Sequence, residues 1–274
     1  MSLRYIHKLF GVSLLVIAAV WSSVSIAGGT ELKWYGHSAF EIKTPSGRIL
    51  LIDPWINNPA NPNGEADLST ISKADLIFVT HGHSDHVGNA VDIAKKTGAK
   101  LVATLELGQS LVKFGGYPAE LAGWDTLLNH GGEISLLDGE VKVLMVPAIH
   151  SSIVGPATEQ GFDYRDAPAG FVIAIRGGPT FYHTGDTDFY SDMKYIPDWK
   201  RVDVMLATIG DHFTMGPRGA ATAVKAVGPR IVIPMHFGTM PLLTGTVAEF
   251  RHQLEKQDAS ATLREMQVGQ TILF

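Results

Sequence analysis

Three histidines and an aspartate crowd into six consecutive positions of DLIFVTHGHSDHVGN, residues 75–89: His81, His83, Asp85 and His86. They follow an apolar run, 75–79, that reads as a strand. Alternation along an extended chain sends His81 and His83 to one side, and Asp85 and His86 lie in the turn beyond, placed to curl back. That gathers three imidazoles and a carboxylate around a space for one or two ions. Nitrogen and oxygen donors suit zinc first, then manganese or iron. Histidines satisfied by backbone carbonyls are the bland alternative, and four ligand-type residues in H-x-H-x-D-H order argue against it. The chain has no cysteine, so a metal site here uses histidine and carboxylate, not thiolate.

The elements that must carry these residues read as short strands and amphipathic helices. ELKWYGHSAFEIKTPSGRILLIDPW, from Glu31, alternates apolar and polar positions around a turn at Pro45–Gly47. Residues 55–70 are rich in Asn, Pro and Gly and read as a loop. Helical periodicity over 88–97, a strand at 99–104, a helix near 106–113 and a hairpin over 133–147 follow. The second half repeats the rhythm. Two strands surround the turn at Gly177-Gly178, a buried strand spans 202–210, a helix starts at Pro217, and RIVIPMHFGT is again a strand. A helix over roughly 246–257 and short terminal strands complete the chain. Strands then helices, twice over, predict an α/β (α+β) fold in which two sheets face each other with helices outside, a four-layer αββα sandwich.

The first 27 residues stand apart. Arg4 and Lys8 open a segment with no acidic residue, the apolar LFGVSLLVIAAVW follows, and SSVSIA puts small residues at Ser25 and Ala27. This is the pattern of a cleaved secretion signal. The apolar stretch falls short of the roughly 20 residues a membrane span needs, so a retained anchor is the weaker reading and membrane contact is transient. Residues 28–274 then form one compact domain, periplasmic or secreted. Losing two basic residues takes the formal net charge from −5 to −7, which repels nucleic acid and leaves a small molecule as the expected substrate. An exported chain without cysteine has no disulfides, so its core holds it together unaided.

THGHSDH resembles the signature of the metallo-β-lactamase superfamily, whose fold is the αββα sandwich with metals at one edge. GHSAFEI, LLIDPW, PAGFVIAI, YHTGDT, SDMK, IGDHFTMGP and VIPMHFGT together resemble a bacterial family of metal-dependent hydrolases of undefined substrate. Its wider relatives include L-ascorbate 6-phosphate lactonase and N-acyl-phosphatidylethanolamine phospholipase D. The resemblance covers essentially all of the chain after the first 27 residues. It implies three further ligands: His150 in MVPAIHSS, Asp186 in HTGDTD and His236 in VIPMHFGT. His81, His83 and His150 would take one metal, Asp85, His86 and His236 the other, with Asp186 between them. Two cations sharing a water lower its pKa and hold hydroxide, aimed at an ester, lactone or phosphodiester. The resemblance makes Asp85 and Asp186 candidate catalytic residues, and Asp211 and His212 join them on their position after a buried strand.

The resemblance also narrows the branch. His83 stands where the oxygen-reducing di-iron members carry glutamate, which favours hydrolysis over redox chemistry. The best-known β-lactamase branch needs a cysteine ligand that this chain lacks. A non-catalytic metal-binding module is the alternative from another class, and the complete ligand set argues against it.

Other residues carry two readings each. Asp53 either orients a ligand histidine or closes a turn before Pro54. His37 either lines the pocket or makes a structural hydrogen bond. Asp211 and His212, after a buried strand on the metal edge, either meet substrate or fix a loop. His183 reads as a satisfied core histidine, His130 and His252 as loop and helix-surface residues. The Gly- and Pro-punctuated stretch 153–168 forms either a lid or a plain connection.

Overall fold

The apolar runs form two facing sheets with helices on both outer faces. The structure, a computed structural model, describes residues 29–153, 155, 157–158, 161–162 and 167–274. Residues 1–27, expected to be a secretion signal, and much of the stretch 153–168 lie outside the described residues. No helix among the described residues is long and apolar enough to cross a membrane.

The first sheet carries β1 (Glu31–Gly36), β2 (Ala39–Lys43), β3 (Ile49–Ile52), β4 (Leu76–Phe78) and β5 (Lys100–Val102) in sequence order. The second carries β6 (Glu133–Leu136) and β7 (Val141–Pro147). After a small ribbon of β8 (Ala157–Thr158) and β9 (Gly161–Phe162), it continues with β10 (Ala169–Ile175), β11 (Thr180–His183), β12 (Val204–Thr208), β13 (Ile231–Met235) and β14 (Thr262–Leu263). The last strand, β15 (Thr271–Leu273), returns to pair with β1. Each sheet starts antiparallel and ends parallel: β3, β4 and β5 run together, as do β11, β12, β13 and β14. Consequently β1, β3 and β4 end at one edge of the first sheet, and β7, β11, β12 and β13 end together in the second.

Three apolar layers fix the stacking. Alternation in β4 sends Leu76 and Phe78 between the sheets and Ile77 outward, and in β12 it sends Val204 and Leu206 inward, Met205 and Ala207 outward. Phe78 meets Phe171 of the opposite sheet edge-on, with ring centroids 5.2 Å apart. Truncating a buried phenylalanine such as Phe78 to alanine costs about 3–5 kcal/mol. Helices α1 (Gly64–Thr70), α2 (Ser84–Val87), α3 (Ala90–Thr97) and α4 (Leu105–Ser110) follow strands of the first sheet. Of these, α3 and α4 cover its outer face with Ile93, Ala94 and Leu107. Beyond α5 (Ile196–Trp199), helices α6 (Pro217–Val227) and α7 (Val247–Lys256) cover the second sheet with Ala220, Val224 and Phe250. The four-layer sandwich is therefore present as expected.

Two local expectations need correction. The stretch 55–70 is loop only to Asn63; α1 follows, with Glu65 and Asp67 in its first turn, where acidic residues favour a helix start. The Asn/Pro/Gly cluster masked it. Strand β4 also stops at Phe78, so His81 and His83 do not converge through strand alternation. The turn itself brings them together, and Asp85 and His86 sit on the single helical turn α2.

Candidate metal centre

Every ligand-type residue follows the end of a strand at the shared edge. His81, His83, Asp85 and His86 come after β4, His150 after β7, Asp186 after β11 and His236 after β13. Close backbone approaches lock these loops. Gly88, which ends α2 at φ 44°, packs so that a Cβ there would meet Trp55 Cα at 2.5 Å. Gly210 lets the His236 backbone in, since a Cβ would meet its carbonyl oxygen at 2.2 Å. The backbone N–H of Gly82 donates to Ser152 Oγ at 2.9 Å, tying the His81–His83 turn to the His150 loop. His236 N–H donates to the His37 carbonyl at 3.1 Å, joining the ends of β13 and β1 across the two sheets.

The seven side chains converge. His81 Nε2 lies 2.9 Å from His83 Nδ1, and His150 Nε2 lies 3.3 Å from the same nitrogen. Tetrahedral zinc with bonds of about 2.0–2.1 Å spaces its nitrogens at roughly 3.4 Å, so this triad is nearly preset. Asp186 Oδ2 sits 3.0 Å from His236 Nε2 and 3.6 Å from His150 Nε2, while its Oδ1 is 3.3 Å from His86 Nε2. Asp85 Oδ2 is 3.9 Å from both His86 Nε2 and His236 Nε2. His86 Nε2, Asp186 Oδ1 and His236 Nε2 are buried without a hydrogen-bond partner, since their close approaches are off the hydrogen-bond line. Buried polar atoms are otherwise paired. Cations held among these residues would satisfy them, and the donor set fits one or two such ions.

Electrostatics agree with that fit. Burial is the main cause holding His81, His83 and His150 below the ordinary imidazole range. Burial alone would raise Asp186, but His236 and His86 outweigh it and hold the carboxyl well below its usual value. In Asp85, burial is likewise outweighed, chiefly by the His37 hydrogen bond and by His86. Neutral imidazoles and ionised carboxylates are the forms that take up cations. His86 behaves differently: burial pushes it down, but Asp186 and Asp53 overcome this and raise it well above the ordinary value. The proton it would hold on Nε2 stands where a cation binds, so loading exchanges one for the other.

A supporting layer surrounds the ligands. Asp53 accepts from His86 Nδ1 at 2.7 Å, from Thr80 N at 2.8 Å and from Thr80 Oγ1 at 2.7 Å. With its proton committed to Asp53, Thr80 Oγ1 accepts from His81 Nδ1 at 3.0 Å, which leaves His81 Nε2 a lone pair. His37, fully buried, sets Nε2 3.1 Å from Asp85 Oδ2 and Nδ1 3.0 Å from Thr239 Oγ1. Burial lowers its pKa to about 4, against the pull of Asp85. Of eight non-glycine residues with positive φ among the described residues, five lie at this edge: His37, Asp53, Asp211, His212 and His236. Such backbone is held only where its surroundings enforce it.

Asp53 and His37 thus both serve the site. Thr80, Thr239 and Ser152 were not singled out in the sequence, where threonine and serine carry no metal signal. His183 is a core histidine, bonded to Ser38 O and Gly185 N; His130 bonds Pro168 O from a loop, and His252 is exposed on α7. Asp211 and His212 are exposed on the loop after β12, and no hydrogen bond or ion pair joins them to the seven ligands among the described residues. Their neighbour Phe213 reaches a cavity of about 360 Å³ over the ligands, closed also by Ser151 and Met240.

The chain matches the Beta-lactamase superfamily domain over residues 48–237, a span that holds all seven ligands. It is 52% identical over 250 residues to a UPF0173 metal-dependent hydrolase of Thermodesulfovibrio yellowstonii, covering 91% of this chain and 94% of that protein. The chain belongs to the UPF0173 metal-dependent hydrolases. A second UPF0173 hydrolase, from an Anaeromyxobacter species, is 51% identical over 250 residues, covering 90% of this chain and 88% of its own length. Among solved structures, Igni18, a metallo hydrolase of the archaeon Ignicoccus hospitalis KIN4/I, superposes with a TM-score of 0.76 at 32% identity. That match covers 89% of this chain and 98% of Igni18. The UPF0173 family, the metallo-β-lactamase fold and the coarse description as a metal-dependent hydrolase stand together on these findings.

Proposed function

We propose that this protein is a dinuclear metallohydrolase that cleaves an ester, lactone or phosphodiester in a small molecule. The observation that carries the reading is the place of Asp186, whose two oxygens face His86 on one side and His236 and His150 on the other. When bound, a pair of divalent cations supplies Lewis acidity and acidified water at neutral pH. The chain's own residues do the rest. Asp53 and Thr80 fix the rings of His86 and His81, and His37 fixes Asp85. Of the two ligand carboxylates, Asp85 is the accessible one, its side chain 22% exposed against 3% for Asp186. A proton passing between a ligand carboxylate and substrate would therefore pass through the Asp85 carboxyl group. Ser151, Phe213 and Met240 close the cavity and restrict water.

The test is elemental analysis joined to turnover. Wild-type protein is expected to hold close to two zinc ions and to hydrolyse aryl esters or phosphodiesters, and Asp186→Ala to lose metal and activity together. Asp186→Ala with both metals and full turnover would sink the dinuclear reading, and metal-loaded protein inert to every substrate class would favour a binding module. We also place the protein outside the cytoplasm, on the signal pattern of residues 1–27. A mature chain beginning at Gly28 in the exported fraction is the expected result, and a cytoplasmic full-length chain is the contrary one.

A further inference from the structure

Beside the metal centre lies a second, larger cleft, of about 890 Å³, and the two share His83 as a common wall. Its far side is the π-helical segment Leu111–Gly115 that continues α4. π-Helical turns are uncommon and gather at functional sites. The walls are Val87, Leu111, Phe114 and Ile153, with Lys113 as the one lysine or arginine lining either cavity among the described residues. Its Nζ sits over the Phe114 ring, 4.8 Å from the centroid.

The apolar character continues around the opening. Phe114 is 37% exposed, Phe213 51% and Ile149, next to ligand His150, 55%. Large apolar side chains left open to water beside a reactive centre mark a surface that is covered in use. A substrate bearing a hydrocarbon chain would find a cleft of suitable size that borders the ligand cavity at His83.

Resting on the hydrolase reading above, we propose that the substrate is an amphiphile whose scissile bond sits at the ligands. Its aliphatic chain lies along Val87, Leu111 and Phe114. Either a carboxylic ester or a phosphodiester meets that description, because both place one apolar chain next to the reacting atom.

The experiment uses zinc-loaded full chain and two series of probes, 4-nitrophenyl esters and 4-nitrophenyl alkyl phosphates, each with chains of two to ten carbons. In whichever series is cleaved, kcat/KM should rise about fourfold per added methylene until the cleft is filled. Phe114→Asp, at an exposed position, should cut the ratio of long-chain to short-chain kcat/KM at least tenfold without loss of zinc. Val87→Phe, which fills the cleft, should do the same, and agreement between the two guards against a folding defect in either. Metal-dependent turnover that is flat with chain length would overturn the proposal and leave the hydrolase reading intact.

Calorimetry with octanoate and acetate separates the opposite case. If neither series is cleaved, octanoate binding that acetate does not reproduce and that Phe114→Asp removes would support the cleft and count against the hydrolase. No preference for octanoate would overturn the cleft as well.

Discussion

His86 Nδ1 lies 2.7 Å from Asp53 Oδ2, with both side chains fully buried. The bond fixes which nitrogen of His86 carries the proton and aims Nε2 at the ligand cluster. Asp53 also grips Thr80, and through it His81, so one carboxylate orients a histidine of each proposed metal site. Losing such a partner costs roughly 10–100-fold in metal affinity. Asp53→Asn, which keeps the shape but weakens the acceptor, is therefore expected to release zinc to a chelator at a concentration lower by about that factor. Chelator competition read by a zinc-sensitive dye measures it. An unchanged release midpoint would make Asp53 a turn residue and no more.

His37 extends the same logic to Asp85. Its ring is wedged edge-on to Trp55 at 5.4 Å and lies 3.9 Å from the His236 ring, held between Asp85 and Thr239. Cutting it away frees the Asp85 carboxylate to rotate. His37→Ala is expected to retain one tight metal and lose the other, with occupancy falling from near two toward one after dialysis. His37→Gln, whose amide reaches as a donor, should recover part of the loss. Retention of both metals by His37→Ala through dialysis would refute the assignment.

How far the sequence could be read follows from contiguity. His81 to His86 are consecutive, so spacing alone exposed them. His150, Asp186 and His236 are scattered among three strand ends, and only the family resemblance connected them. His37 and Asp53 stayed ambiguous because their roles rest on partners distant in the chain, Asp85 and Thr239 for His37 and His86 and Thr80 for Asp53. The sandwich was legible because strands covered on both faces read as apolar runs. Helix α1 hid behind Asn and Pro residues that end at its first turn, and the π-helical turn at Leu111–Gly115 has no sequence signature of its own.

Acid sensitivity should arise partly outside the centre. His183 is fully buried, accepts from Gly185 N–H at Nδ1 and donates from Nε2 to Ser38 O, which requires the neutral ring. Burial lowers its pKa below the ordinary 6.5. The unfolded chain therefore takes up this proton first as pH falls. The stabilisation is complete above pH 6.5 and is lost as acidification proceeds toward the folded-state value. His183→Phe cannot titrate: it should be less stable than wild type at pH 8 by about 1–3 kcal/mol, from the partners left unpaired, yet decline less between pH 7 and 5. Parallel curves for the two proteins in thermal unfolding at fixed zinc would remove His183 from the account.

Asp211 and His212 separate a loop-fixing role from a proton-transfer one. Asp211 Oδ1 accepts from His212 N at 2.9 Å, Asp211 O accepts from Phe213 N at 2.5 Å, and Met215 N reaches Thr187 O at 2.8 Å, one residue from ligand Asp186. These bonds hold Phe213 over the cavity, while the His212 ring packs edge-on against Phe213 at 4.4 Å and stays exposed. Asp211→Ala should loosen that cover, raising KM several-fold with zinc content unchanged. His212→Ala should lower kcat by less than about tenfold, because general acid–base catalysis by a positioned group contributes roughly 10²–10⁴-fold. A loss of that larger size, with one limb of the pH profile missing, would instead make His212 the proton carrier and put its ring against the substrate.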